Sequence, residues 1–469
     1  MIRSKRKIWR TLMKTSFFSL KITPPIGVPL AGNGREDSRS RGIHDDLFAN
    51  FAYLASDTHR HLFIEMDLLG IKKCDADAMK ANIERSCNIP AANITITATH
   101  THSGPNTVEI FKPFLNDSDI AACLDYRVWL VDAVSSAAPE VIAAAADSQM
   151  AHSRGIVDGF SFNRRVMMDD GTLRMVFEDY DRDRIVRLAG PNGDSMMHVF
   201  VFTDLNAKVK ALILQYTSHP AVVCGEDWLY TRDYIHTLTE KLKQYYGQDV
   251  VVLYMNGAQG NQVAANPYKP FITGFAEAER VGMGLAEGAI RIIDGALENG
   301  GLKERIRLLS LSEKLTLPLR RITNEEAERA QNLMGVQHKG AQLHGLDPRV
   351  EALSILEMAG LTHTEEETLI QAIVLGDALI LTFPGEVFLE HAINALAENP
   401  FCDGMIFGLA NDYVGYIPTK EAFSEGGYEV KTSYASSRYD PCAGDLLTAA
   451  SRELIRKIAA AIHMGQAPA

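Results

Sequence analysis

Short apolar runs rich in β-branched residues alternate with longer amphipathic segments along most of the 469-residue chain, and this alternation limits the possible folds most strongly. A short apolar run between turn signals is typical of a buried strand, whereas apolar residues at every third or fourth position are typical of a helix. The predicted strands are 62–69, 93–99, 197–203, 209–217, 249–255, 369–374, 378–383 and 404–409. The predicted helices are 76–87, 119–147, 230–246, 274–297, 386–396 and 446–462.

Strands that alternate with helices favour an α/β fold. Two hairpin signals, at 204–206 and at Gly376-Asp377, add antiparallel strand pairs. We therefore predict an α/β fold with a mixed central β-sheet flanked by helices, and the chain shows no clear internal repeat. Residues 1–16 contain six Lys/Arg and no acidic residue, and we predict a disordered basic extension there. Residues 17–469 are predicted to form a single domain, in which the polar segment 304–366 would be a helical sub-lobe.

The charge balance excludes several classes of function. The chain has 47 Lys and Arg against 59 Asp and Glu, and an acidic protein is a poor general binder of nucleic acid. No stretch approaches the roughly 20 apolar residues that span a bilayer, and no apolar core of a signal peptide follows the basic start. We expect a cytoplasmic protein without stable membrane insertion, whose partner is a small-molecule substrate. The sequence does not fix the number of subunits, and a homo-oligomer is one alternative.

Two histidine-containing clusters follow predicted strands. His100 and His102 are alternate residues, so they can share one face of an extended chain. Neutral imidazole is a common metal ligand, but hydrogen-bonded surface histidines are also common. His219 precedes Pro220, which favours extended geometry and a fixed ring direction. It is either a metal ligand or a structural histidine before a turn.

Three further clusters also follow predicted strands. Glu386 comes after a Pro-Gly break, where it either interacts with a helix dipole or binds a metal. Tyr416 is either a core aromatic residue or a zinc ligand, whose pKa the ion itself would have to depress. A glycine-rich turn could present backbone N–H groups to an anion or an oxyanion. Its candidate residues are Asn256, Gly257, Gly260 and Asn261. The chain contains neither a P-loop nor a GxSxG elbow.

Taken together and in this order, these segments resemble the catalytic domain of the neutral/alkaline (non-lysosomal) ceramidases and their shorter bacterial relatives. The resemblance runs from about residue 17 to the C-terminus, and its most specific string is HTHSGP, at 100–105. The twelve-residue step from Tyr416 to Tyr428 also fits the family. The other matching stretches are 22–32, 42–45, 67–70, 162–164, 218–220, 256–261 and 384–386.

The resemblance implies a zinc amidase with one Zn²⁺ ion per chain. The ligands that it implies are His100, His219, Glu386 and Tyr416. His102 would transfer a proton between the attacking water and the leaving group. Arg164 and Tyr428 would stabilise the substrate carbonyl or the oxyanion. His44, Asp67 and Asp233 match positions near the family pocket, where a structural role is the alternative.

Two departures from the family change the expected chemistry. Val263 occupies the position of the family's active-site serine, so a covalent acyl-enzyme at that position is excluded and attack by activated water is expected. We also expect this chain to lack the family's C-terminal immunoglobulin-like domain. We therefore predict a zinc hydrolase of a small, polar amide or ester. The alternatives are a true ceramidase acting on N-acyl sphingoid lipids and a non-catalytic relative that only binds a metal or ligand.

Overall fold

The computed structural model describes residues 12–32, 37–223, 228–334 and 347–464. Three mixed β-sheets meet around a shared apolar core, and helices cover their outer faces. This arrangement confirms the predicted α/β class with mixed sheets, but the strands are divided among three sheets.

The first sheet contains four main strands in the order β4-β3-β2-β1, and the two-residue strand Ala146–Asp147 extends its edge. The strands are β1 (Lys14–Lys21), β2 (Phe48–Ala55), β3 (Arg60–Met66) and β4 (Ile94–Ala98). The first three are antiparallel, and helix α1 (Lys73–Cys87) connects β3 to its parallel neighbour β4. Helix α2 (Asp117–Ala143) follows; it begins with a capping box in which Asn116 accepts from the amides of Ser118 and Asp119.

The second sheet has the same topology, with the order β8-β7-β6-β5. Its strands are β5 (Gln149–Ile156), β6 (Met196–Thr203), β7 (Val209–Tyr216) and β8 (Val251–Asn256). β5, β6 and β7 are antiparallel, whereas β7 and β8 are parallel. Helix α3 (Tyr234–Tyr246) connects β7 to β8, and α4 (Phe275–Glu298) follows β8.

The third sheet repeats this topology again, with the order β12-β11-β10-β9. Its strands are β9 (Leu308–Pro318), β10 (Glu365–Leu375), β11 (Ala378–Thr382) and β12 (Asp403–Phe407). Helices α5 (Asn324–Met334) and α6 (Pro348–Ala359) lie between β9 and β10. Helix α7 (Leu389–Leu396) connects β11 to the parallel strand β12; α8 (Lys420–Glu425) and α9 (Ala443–Met464) follow.

Small two- and three-stranded sheets connect the segments around the large ones. Their strands are Gly42–Ile43 with Leu229–Tyr230, Phe162–Asn163 with Gln262–Val263, Glu386–Val387 with Tyr416–Ile417, and Leu173–Met175 with Arg165–Met168 and Ile185–Leu188.

The shared core explains why the three sheets pack together. Phe63, Phe202 and Phe407 come from different sheets, and all three are fully buried in one apolar cluster. Burial of large aromatic side chains supplies a major part of the free energy of folding. The outer face of each sheet packs against its own helices in a separate cluster. The chain therefore has a threefold topological repeat, although the sequence shows no clear repeat.

Three local predictions are corrected by the structure. β1 begins at Lys14, and Ser16 is buried with its hydroxyl donating to the Val141 carbonyl, so the ordered fold begins within the predicted extension 1–16. Residues 1–11 of that extension lie outside the described residues. The predicted lobe 304–366 contains two helices, but its ends belong to β9 and β10. Glu386 lies in a two-residue strand paired with Tyr416, not at the start of a helix.

The described part of the chain has no helix with the length and apolar character of a membrane span.

Candidate metal centre

The candidate ligands lie just beyond strands of all three sheets. His100 follows β4, His219 follows β7, and Glu386 follows β11. The ends of the neighbouring strands β8 and β12 also contact each other, since the amide of Gly408 donates to the Asn256 carbonyl at 2.8 Å. Because all three sheets place their parallel strands side by side here, residues more than 280 positions apart meet at one point.

Backbone carbonyls fix both imidazole rings. The Nδ1 atom of His100 lies 2.6 Å from the Leu69 carbonyl oxygen, and Nδ1 of His219 lies 2.9 Å from that of Gln262. A carbonyl oxygen only accepts, so each Nδ1 carries a proton, and in a neutral ring Nε2 then has a free lone pair for a cation. His100 also has a φ angle of 76°, an uncommon backbone conformation for a non-glycine residue.

The two Nε2 atoms converge on one carboxylate oxygen. Oε2 of Glu386 lies 2.9 Å from Nε2 of His219 and 3.2 Å from Nε2 of His100. The Tyr416 hydroxyl lies 3.4 Å from Nε2 of His219, and Nε2 of His102 lies 3.4 Å from that of His100. The structure brings all four predicted ligands together, with the predicted proton-transfer residue beside them.

This set of ligand atoms fits a divalent cation. Unprotonated Nε2 atoms and a carboxylate oxygen are all hydrogen-bond acceptors. They therefore repel one another at these distances unless a proton or a cation lies among them. A zinc ion with bonds of about 2.0–2.1 Å has neighbouring ligand atoms about 3.3 Å apart, close to the observed separations. The ligand atoms of His100, His102 and His219 also lie within 4.8 Å of one another. The assignment of Tyr416 as fourth ligand, and of His102 as the proton-transfer residue, stays a prediction.

Burial and neighbouring charges set the protonation of these groups. Burial would raise the pKa of Glu386, but the His100 and His219 rings hold it well below its usual value. Burial lowers the pKa of His219 to about 4, and the Arg164 guanidinium adds to this effect. Burial, followed by the His100 and His219 rings, also lowers the pKa of His102 well below its usual value. At neutral pH the centre therefore contains an ionised carboxylate and neutral imidazoles at His102 and His219.

The predicted oxyanion residues lie on one side of the centre. Nη1 of Arg164 lies 3.3 Å from Nε2 of His219, and its Nε donates to Glu429 at 3.0 Å. The hydroxyls of Tyr428 and Tyr416 lie 3.0 Å apart. The Arg164 guanidinium also lies 5.1 Å from the ring centre of Tyr428, within cation–π range. This side of the centre is suited to stabilising negative charge.

The glycine-rich turn does not have its predicted role. The amide of Gly257 donates to the side chain of Asn256, and the amide of Gly260 donates to the Val387 carbonyl at 2.9 Å. None of Asn256, Gly257, Gly260 and Asn261 lines the pocket. A side chain at Gly260 would collide with the Glu386 backbone. The turn is glycine-rich because it supports the ligand-bearing segment at close range, which corrects its assignment as an oxyanion site.

A small pocket of about 140 Å³ opens onto the centre. Away from the polar centre its lining is mainly apolar, and Val263 is part of this wall. Among the described residues, no serine or threonine lines it. The apolar lining residues include Leu69, Ile110, Phe111, Val176, Phe177, Val222, Ala264, Phe271 and Ile272.

The three residues of open role lie outside this pocket. His44 stacks on Phe275 with ring centres 3.9 Å apart. Asp67 forms a buried ion pair of 2.7 Å with Arg232, and Asp233 caps the N-terminus of α3. All three contacts are structural.

Two residues were given no role by the motifs. The Tyr413 hydroxyl donates to Oε1 of Glu386 at 2.7 Å, which orients that carboxylate. Glu429 is fully buried and accepts from both Arg164 and Arg165, which fixes the guanidinium beside the centre. Each lies within three residues of a predicted site residue, but only the tertiary structure shows the partner.

Two solved structures share this fold. One is neutral ceramidase from Pseudomonas aeruginosa, with a TM-score of 0.70 and 16% identity over 98% of this chain and 76% of that one. The other is a ceramidase complexed with C2, with a TM-score of 0.68 and 16% identity over 98% of this chain and 77% of that one. No family model and no curated protein matches the sequence. The likeness shows the neutral ceramidase fold, as the motifs predicted.

Proposed function

We propose that this chain is a zinc-dependent hydrolase that cleaves an amide bond in a small substrate. The observation that carries the proposal is the convergence of two imidazole Nε2 atoms on one buried carboxylate oxygen, at 2.9 and 3.2 Å. This acceptor set, at the end of a pocket and beside an arginine, is suited to a catalytic metal centre. The ceramidase fold supports amide hydrolysis as the reaction class.

A bound zinc ion would polarise the scissile carbonyl and lower the pKa of water at this site. The half-buried His102 lines the pocket, where it can take a proton from the attacking water and return it to the leaving amine. Arg164 and Tyr428 lie on the side where the carbonyl oxygen would gain negative charge, and their N–H and O–H groups would stabilise it.

The pocket wall favours direct attack by water. Val263 lines the pocket, and the motif resemblance assigns its position to the family's serine. A valine side chain can neither attack a carbonyl nor donate a proton. A covalent acyl-enzyme on serine or threonine would need a residue that the described wall does not provide. One proton-transfer residue and an oxyanion site are sufficient for the water route.

The size of the pocket separates two candidate substrates. A long-chain ceramide is supported by the shared fold and by the apolar wall. However, a volume of about 140 Å³ is close to that of an engineered cavity that binds benzene, and a long acyl chain is much larger. We therefore favour a small amide whose acyl part is apolar, which changes the polar substrate expected from sequence.

Metal analysis of the purified chain tests the ligand set. The wild type should bind one zinc ion, whereas His100→Ala and Glu386→Ala should each lose most of it, because each removes a converging ligand atom. His44→Ala is the matched control, since this histidine lies outside the pocket. Full zinc occupancy in both ligand variants would refute the assignment.

A substrate screen tests the reaction. Zinc-loaded protein should release amine from small N-acyl compounds, and chelation should abolish the release. Bound zinc without turnover of any amide or ester would instead favour the non-catalytic alternative.

A further inference from the structure

A single wall separates the metal-centre pocket from a larger neighbouring cavity. The first has a volume of about 140 Å³ and the second about 600 Å³. Four residues line both cavities: Ile110, Phe111, Tyr413 and Ala435. Of these, Tyr413 donates to Glu386, so Phe111 is the large side chain of the wall that can be replaced without loss of a ligand contact.

The backbone of this segment is held in an unusual conformation. Glu109 and Phe111 have φ angles of 55° and 62°, in the left-handed region that non-glycine residues rarely adopt. Glu109 is held by Lys72 at 2.7 Å and by a contact with Arg127. The Phe111 carbonyl also accepts from the Phe114 amide at 3.0 Å. These contacts hold the backbone of the segment, and the half-buried Phe111 lines both cavities.

The lining of the second cavity contains both aliphatic and charged side chains. Its apolar lining includes Val108, Val350, Leu353 and Leu361. Carboxylates outnumber Lys and Arg in this lining, and several of them are paired, such as Glu357 with Lys112 at 3.2 Å and Glu366 with Arg438 at 2.9 Å. An alkyl chain that entered the cavity would contact its aliphatic side chains.

We propose that Phe111 determines specificity by limiting the acyl group of the substrate to about six heavy atoms, the number in benzene, which fills a cavity of this size. This inference rests on the proposed amide hydrolysis and makes it narrower, because it assigns the substrate class as short-chain N-acyl amines. Removal of the ring would join the two cavities and admit longer acyl groups.

A chain-length series tests the inference on the full, zinc-loaded chain. The substrates are N-acyl derivatives of one chromogenic amine, from acetyl to decanoyl, and kcat/KM is measured for each. The wild type should lose at least about tenfold in kcat/KM between hexanoyl and decanoyl. Phe111→Ala should raise the decanoyl-to-acetyl ratio by at least about tenfold, since each buried methylene is worth about fourfold. Phe111→Leu should give an intermediate ratio.

Two further measurements keep the test decisive. Leu353→Ala changes a residue that lines the second cavity alone, so it should keep the wild-type profile. Calorimetric binding of free carboxylates from acetate to decanoate gives the chain-length limit without turnover, and it needs only the wild type if Phe111→Ala does not fold. Equal profiles in the wild type and Phe111→Ala, or tighter wild-type binding of decanoate than of hexanoate, would overturn the role of Phe111. If no amide is hydrolysed but carboxylate binding still weakens above the expected chain length, the proposed reaction is refuted and the role of Phe111 as a size limit is not.

Discussion

The hydrogen bond from Tyr413 to Glu386 offers a sharp test of the metal centre. In Tyr413→Phe, Oε1 of Glu386 loses a donor at 2.7 Å, although the carboxylate is only 2% exposed. A buried acceptor without its partner costs about 1–3 kcal/mol. Part of this cost falls on the orientation of Oε2, the oxygen that faces His100 and His219. We therefore expect zinc affinity to fall by about 10- to 100-fold, the usual effect of losing a residue that orients a metal ligand.

The assay is a zinc titration of the apoprotein in competition with a chromogenic chelator. Tyr180→Phe is the matched control, because it also removes a buried hydroxyl, which donates to the Pro267 carbonyl at 2.8 Å away from the ligands. Tyr180→Phe should keep the wild-type Kd. If Tyr413→Phe and Tyr180→Phe bind zinc equally well, Glu386 is not a ligand or Tyr413 does not orient it.

Two other predictions concern buried charges. Burial lowers the pKa of Lys80 from 10.5 to about 7, and its Nζ has no hydrogen-bond partner among the described residues. Because the fold penalises the charged amine, this cost is greatest below about pH 7 and disappears above about pH 10.5. Lys80→Met should therefore raise the free energy of unfolding by up to about 4 kcal/mol at pH 7 and by little at pH 10.5. Urea denaturation at the two pH values measures this difference, and an equal effect at both would contradict the prediction. Glu429→Gln removes the carboxylate that Arg164 and Arg165 share. We expect the free energy of unfolding to fall by about 3 kcal/mol and kcat to fall at unchanged zinc content. An unchanged kcat would argue that Glu429 does not position Arg164 for catalysis.

The sequence predicted most strands of the three large sheets. All eight predicted strands exist, because continuous apolar runs such as β8 and β12 are readable without tertiary information. The strands β1, β2, β5 and β9 were not predicted. β5 and β9 are edge strands, and their polar residues reduce the apolar signal. The threefold topology was also not predicted. A buried strand requires only an apolar pattern, and because different residues can supply that pattern, three units with the same topology need not share a sequence repeat.

The candidate site was predicted through short motifs, each of which gives a residue without its partners. The spacing of His100 and His102 indicates a shared face. The approach of His100 to Glu386, however, depends on the packing of three sheets against one another. The glycine-rich turn was misassigned for the same reason. Its glycines resemble an anion site in sequence, whereas Gly260 is needed because the Glu386 backbone passes too close for a side chain.

Each of the three topological units supplies one side chain to the acceptor cluster, through His100, His219 and Glu386. A fragment that lacks any unit would therefore lack a complete site. An ion bound at this junction would stabilise only the fully assembled chain, by an amount that grows with zinc concentration. Chelation would then lower the unfolding temperature of the whole protein, not of one region, so the cofactor would serve folding as well as chemistry.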